Sequence, residues 1–93
     1  MKTYEAVVIF SSEETQYREG REFLKKEFET NGIVVTKEED MGDRLLSYPV
    51  GKNDRGHYIL YIIESMPDPL KNLSKSIKLR PEILKHLFVR QGS

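Results

Sequence analysis

The 93 residues contain no cysteine, which excludes disulfides, thiolate metal sites and a cysteine nucleophile, though by itself it sets no location. Long apolar runs are missing too. None approaches the roughly 18 residues of a membrane span, and no apolar signal-like segment follows Lys2, so the expectation is a soluble, cytoplasmic protein with no membrane partner. Net charge is also absent: 15 Lys and Arg balance 15 Asp and Glu. Histidine occurs only as His57 and His86, neither in an HxH or HExxH context, so no metal is expected.

The balanced total conceals a division. Residues 1–43 hold 6 basic against 11 acidic side chains, and residues 44–93 hold 9 against 4, a surplus of five of each sign. A molecule polarised in this way can offer a basic surface to phosphate and an acidic one to solvent or to a basic protein. Hydrophobic residues make up 38% of the chain, enough for one core, and the expected organisation is a single domain over 1–93.

Alternation and period then divide the chain. Tyr4 to Phe10 alternates Tyr4, Ala6, Val8 and Phe10 on one side with Glu5, Val7 and Ile9 on the other, a strand with apolar residues on both faces. Ser11 and Glu14 have capping-box spacing. Tyr17, Leu24 and Phe28, broadened by Phe23, form a helical stripe that runs to Thr30, with Glu19, Glu22, Lys26 and Glu29 opposite. Gly20 marks either close packing or a tolerated helix defect, and Asn31-Gly32 supplies the stop. A second strand covers Ile33 to Thr36 and resumes from Arg44 to Val50 after the acidic run at 38–43, where Met41-Gly42 has the look of a bulge or bend in one long strand. Pro49 places its stretch at a sheet edge or strand end, and GKNDRG at 51–56 is a turn.

His57 to Ser65 is the most apolar strand, with Tyr58, Leu60 and Ile62 opposing His57, Ile59, Tyr61 and Ile63. Asp68 is the expected N-cap of a second helix, with Pro69 pre-set for its first helical position. Leu70, Leu73 and Ile77 form its buried stripe, while Lys71, Lys75 and Lys78 stay wet. Pro81 ends it, and Leu87 to Val89 forms a short last strand. This order predicts an α+β fold, a ferredoxin-like split βαβ sandwich: a four-stranded antiparallel sheet in the spatial order four, one, three, two, with two helices on one face. The other face would carry Val7, Ile9, Ile59 or their alternates and be free for a macromolecule.

Catalytic chemistry finds no footing. The carboxylates Glu38, Glu39, Asp40 and Asp43 lack the spacing of a calcium loop and are expected in a solvated loop. Ser11, Ser12 and Ser47 have no histidine at a motif spacing, and residues 51–56 lack a Walker ending. Small acylphosphatase-like enzymes share the element order, but SSEE stands where their phosphate loop and arginine belong. The reading is therefore not an enzyme, with no cofactor. For nucleic acid, Lys2, Arg44, Lys52, Arg55, Arg80, Lys85 and Arg90, with Lys78 beside them, are candidate phosphate contacts, and Tyr48, His57 and Tyr61 are candidate stacking or partner contacts. RGHYILYI at 55–62 partly matches an RNA-recognition signature, yet His57 and Ile59 stand where its stacking aromatics belong.

Four stretches carry a resemblance. Tyr4-Glu5, MGDRLLSYPV at 41–50, GHY at 56–58 and IKLRPEILKHLFV at 77–89 resemble the bacterial small-subunit ribosomal protein family numbered six. Met41, Leu45, Ser47 and Lys85 depart from its usual residues. The resemblance implies a structural role in the small ribosomal subunit, binding the central domain of small-subunit ribosomal RNA together with the small basic ribosomal protein numbered eighteen. It points to Arg44 as a positioned basic residue, to Tyr48 and Pro49 as shaping the adjacent strand, and to Arg80 and Lys85 near the last strand. The competing reading is a ferredoxin-like interaction or small-ligand regulatory module that self-associates through its open face.

Overall fold

A computed structural model describes residues 1–92, which form six elements: β1 (Lys2–Phe10), α1 (Glu14–Thr30), β2 (Val34–Val50), β3 (Asn53–Ser65), α2 (Pro67–Lys78) and β4 (Ile83–Arg90). The strands form one sheet in the order β2-β3-β1-β4 with every neighbouring pair antiparallel. Each crossover helix therefore joins strands separated by one other strand, the split βαβ pattern of a ferredoxin-like α+β fold.

Alternation decides which face is dry. In β1, Tyr4, Ala6, Val8 and Phe10 are buried, and their register partners in β3 on the same face are Ile63, Tyr61, Ile59 and His57. Leu24 and Phe28 of α1, and Leu70, Leu73 and Ile77 of α2, close the core from above. Leu24, Leu73 and Ile59 are fully buried, and a side chain of that size contributes about 1.5–3 kcal/mol when withdrawn from water. Gly20 lets α1 sit close to the sheet: a Cβ there would stand 3.0 Å from Phe10 Cδ1 and 3.1 Å from Glu82 Cβ.

Several local expectations are corrected. The cap of α1 is Glu13, whose carboxylate accepts from the backbone N–H groups of Thr15 and Gln16. Ser11 stands two residues earlier and its Oγ accepts from Glu13 N–H. At α2 the helix begins one residue before Asp68, with Met66 at the cap position and Pro67 at the first helical residue, where a missing N–H costs nothing. The last strand runs from Ile83 rather than Leu87. Ile59 faces the core, so the open side of β3 is made by Tyr58, Leu60 and Ile62.

The largest revision concerns β2. The acidic run at 38–43 is not a loop but the middle of a 17-residue edge strand. An edge strand tolerates charge because only one side of its backbone is paired, and charge discourages further pairing. Gly42, at φ +83°, takes the left-handed conformation that lets the strand bulge between Asp40 and Gly42 while staying paired to β3.

Candidate nucleic-acid interface

The helices leave one face of the sheet bare. Register places Val7 beside Leu60 and Leu87, and Ile9 beside Tyr58 and Lys85. Glu5 lies next to Ile62 and Val89, while β2 adds Val34 beside Glu64, Lys37 beside Ile62, Glu39 beside Leu60 and Arg44 beside Gly56. The resulting surface is graded. Its middle is apolar, with Leu87 58% exposed and Val89 46% exposed. Glu5 and Glu64 make one end acidic. Arg44 and Lys85 lie toward the other, on the two edge strands. Among the described residues neither meets a carboxylate; Arg44 Nε donates only to the Met41 carbonyl at 3.2 Å.

The same end carries an overhang. Strand β1 stops pairing at Phe10, opposite His57, yet β2 and β3 continue as a two-stranded hairpin through residues 44–56. Between the pairs Leu45–Arg55 and Val50–Asn53 the β2 side has three more residues than its partner can match, and Leu46, Ser47, Tyr48 and Pro49 lie in this irregular stretch. Pro49, which has no N–H, is accommodated there without losing a ladder bond. Lys52 is exposed in the turn, and Arg55 reaches toward Asp43 only at 3.9 Å. Tyr48 is 81% exposed.

Not every sequence-derived candidate joins this surface. Arg80 belongs to the helix side, where its Nε donates to Glu82 at 2.9 Å and its guanidinium lies 4.6 Å from the Phe23 ring centroid. Glu82 is buried, so Arg80 neutralises a carboxylate within the fold. Lys2 and Arg90 sit at the far end of the strands, beside Ser65 and Tyr4 respectively. Tyr61 offers no stacking surface: it is buried against Phe28, and that burial pushes its hydroxyl pKa up.

His57 is likewise engaged. Its ring stacks on Tyr17 at 4.2 Å between centroids and its Nε2 shares a hydrogen bond with Asp40. That bond holds the Asp40 carboxyl below the usual carboxylate range. Tyr17 continues the chain by accepting from Arg21 at 3.0 Å, and Arg21 pairs with Glu38. These contacts fasten β2 to α1 and account for His57 structurally. The residues that sequence reasoning passed over are Leu60, Ile62 and Leu87 on the bare face and the carboxylates Glu5 and Glu64. Their parity with Val7 once the register is known is the signal that selects them.

Comparison with known proteins places this geometry. The family profile described as Ribosomal protein S6 matches residues 3–90. A small ribosomal subunit protein bS6 of Treponema pallidum is 36% identical over 93 residues, covering all of both chains. Its counterpart in Treponema denticola is 37% identical over 90 residues, 97% of each. Among solved structures, the 30S ribosomal protein S6 of Thermotoga maritima superposes with a TM-score of 0.81 at 26% identity, covering 97% of this chain and 87% of that one.

Proposed function

The chain belongs to the ribosomal protein S6 family of the small ribosomal subunit, and from that premise we propose that it is a structural scaffold of the cytoplasmic ribosome, without catalytic chemistry. Its RNA target is the central domain of small-subunit ribosomal RNA, and it binds there jointly with the small basic ribosomal protein numbered eighteen. The observation that carries this reading is the graded bare face. One rigid surface presents unpaired cations at one end and an apolar middle leading to carboxylates at the other.

The division supports a separate place for each partner. Arg44 and Lys85, with Lys52 and Arg55 on the hairpin, meet phosphate, which positions the protein without reading sequence. Val7, Leu60, Ile62, Leu87 and Val89 bury apolar area against the partner protein, and Glu5 and Glu64 complement its basic charge. Arg80, Lys2 and Arg90 have secondary places in this scheme: Arg80 is held by Glu82, and the other two lie at the acidic end of the sheet. Because one layer carries both sets, each partner completes a composite surface for the other, which is the origin of cooperative binding.

Affinity capture of the tagged chain from a lysate of its own organism tests the reading. The expected co-purifying species are one small basic ribosomal protein and small-subunit ribosomal RNA, with nuclease protection confined to the central domain. A purified chain that forms a stable homodimer and captures neither would support the self-associating regulatory module instead.

A further inference from the structure

The hairpin over residues 44–56 has no structural role that explains its composition. It extends past the end of β1, and among the described residues none of its side chains belongs to the core that the helices close. Leu45 is 67% exposed and Tyr48 81% exposed, so an apolar side chain and an aromatic ring stand in water on a segment with no core beneath them. Stability does not account for this, because an exposed ring gains little burial energy. Three cations, Arg44, Lys52 and Arg55, lie within seven residues of Tyr48 along the hairpin. Of the acidic residues nearby, Asp43 accepts from Ser12 Oγ and makes a long, exposed ion pair with Arg55 at 3.9 Å, and among the described residues Asp54 meets no cation, so Arg44 and Lys52 keep their full charge.

Rigidity is built into the same segment. Leu46 and Ile9 close over Gly56, leaving no room there for a side chain, and this seal fixes the hairpin base to the sheet. Pro49 restricts the backbone next to Tyr48. A ring held on a stiffened, projecting ribbon between cations is what an unpaired base needs: a π-face for the base and positive charge for the phosphates on either side. A duplex stacks its bases internally and offers an aromatic ring nothing comparable. A protein partner would be better served by the apolar middle of the sheet.

We propose that this hairpin captures an unpaired nucleotide of the bound RNA, Tyr48 stacking on its base while Lys52 and Arg55 hold the flanking phosphates. The inference rests on the RNA-binding reading given above and adds to it a preference for RNA in which a bulged or looped base lies beside the phosphates met by Arg44.

Three variants test it in the assembled protein pair, with a central-domain fragment of small-subunit ribosomal RNA as the probe. Tyr48→Ala weakens binding by about five- to one-hundred-fold, the range of one lost base stack. It leaves the dependence of affinity on salt unchanged, because stacking releases no counterions. Tyr48→Phe keeps most of the affinity. Tyr48→Trp introduces a tryptophan into a chain that has none, and its emission, measured against the unaltered pair, is quenched at RNA saturation.

Affinity of Tyr48→Ala within twofold of the original, or unquenched Tyr48→Trp emission, would overturn the proposal while leaving the RNA-binding reading standing. A Tyr48→Ala defect confined to formation of the protein pair would also overturn it, assigning the hairpin to the protein interface. Failure of the unaltered pair to bind the fragment would remove both readings together.

Discussion

Ile9 lies against Gly56 so closely that a Cβ placed on Gly56 would overlap its Cγ2, with the Phe10 carbonyl 3.3 Å and Leu46 Cδ2 3.4 Å from the same point. The relationship matters because Gly56 is the register partner of Arg44, so the close approach that anchors the hairpin also sets the basic end of the bare face. Gly56→Ala is expected to destabilise the fold by about 1–3 kcal/mol, the range for overpacking a filled site, read as a lower denaturant midpoint at unchanged m. In an Ile9→Ala background Gly56→Ala costs less than in the original chain, since the two side chains compete for one space. Equal costs in the single and combined backgrounds would show that the contact is not the cause.

His86 supplies a pH dependence. Burial, aided by the charge of Lys78, lowers its pKa below the ordinary histidine value of 6.5, and its Nε2 lies 2.8 Å from Ser74 Oγ. Unfolded chains therefore take up a proton near pH 6.5 that folded chains still refuse. The neutral ring's contribution to stability is complete above about pH 6.5 and declines as pH falls below it toward the lowered folded value. Thermal melts between pH 7 and pH 5 should fall more steeply for the original chain than for His86→Gln, which retains a partner for Ser74 and does not titrate. Parallel curves would exclude His86 as the source.

Leu87 separates binding from stability. Its 58% exposure means that Leu87→Lys changes folding by less than about 0.5 kcal/mol. On the proposed assignment it puts a charge in the apolar contact with the basic partner protein, and weakens that complex by tenfold or more, about 1.4 kcal/mol. Calorimetric titration of the isolated protein pair measures this without RNA. An unchanged dissociation constant would move the partner off this face.

Much of the fold was legible because strand alternation and helical period are strong signals where both faces differ. β1, β3 and the stripe of Tyr17, Leu24 and Phe28 declare themselves in this way. What was not legible has specific causes. Glu38, Glu39 and Asp40 look like a loop because strands usually exclude carboxylates, and only their position at a sheet edge makes a strand of them. Glu13 and Met66 replaced Ser11 and Asp68 as caps because capping depends on which residue leaves the helical conformation, and sequence spacing allowed more than one choice. Tyr61 and Arg80 were indistinguishable in sequence from Tyr58 and Lys85. The register of β3 against β1 hides Tyr61, and a buried glutamate two residues away holds Arg80.

The account stands on Arg44 and Lys85 acting together as the phosphate-facing end of the sheet. Its most direct test is the salt dependence of binding between the assembled protein pair and the central-domain RNA fragment, with and without Arg44→Gln and Lys85→Gln combined. Loss of two phosphate contacts should lower the slope of log affinity against log salt by roughly 1.5, with weaker binding at every salt concentration. An unchanged slope, with affinity intact, would contradict it.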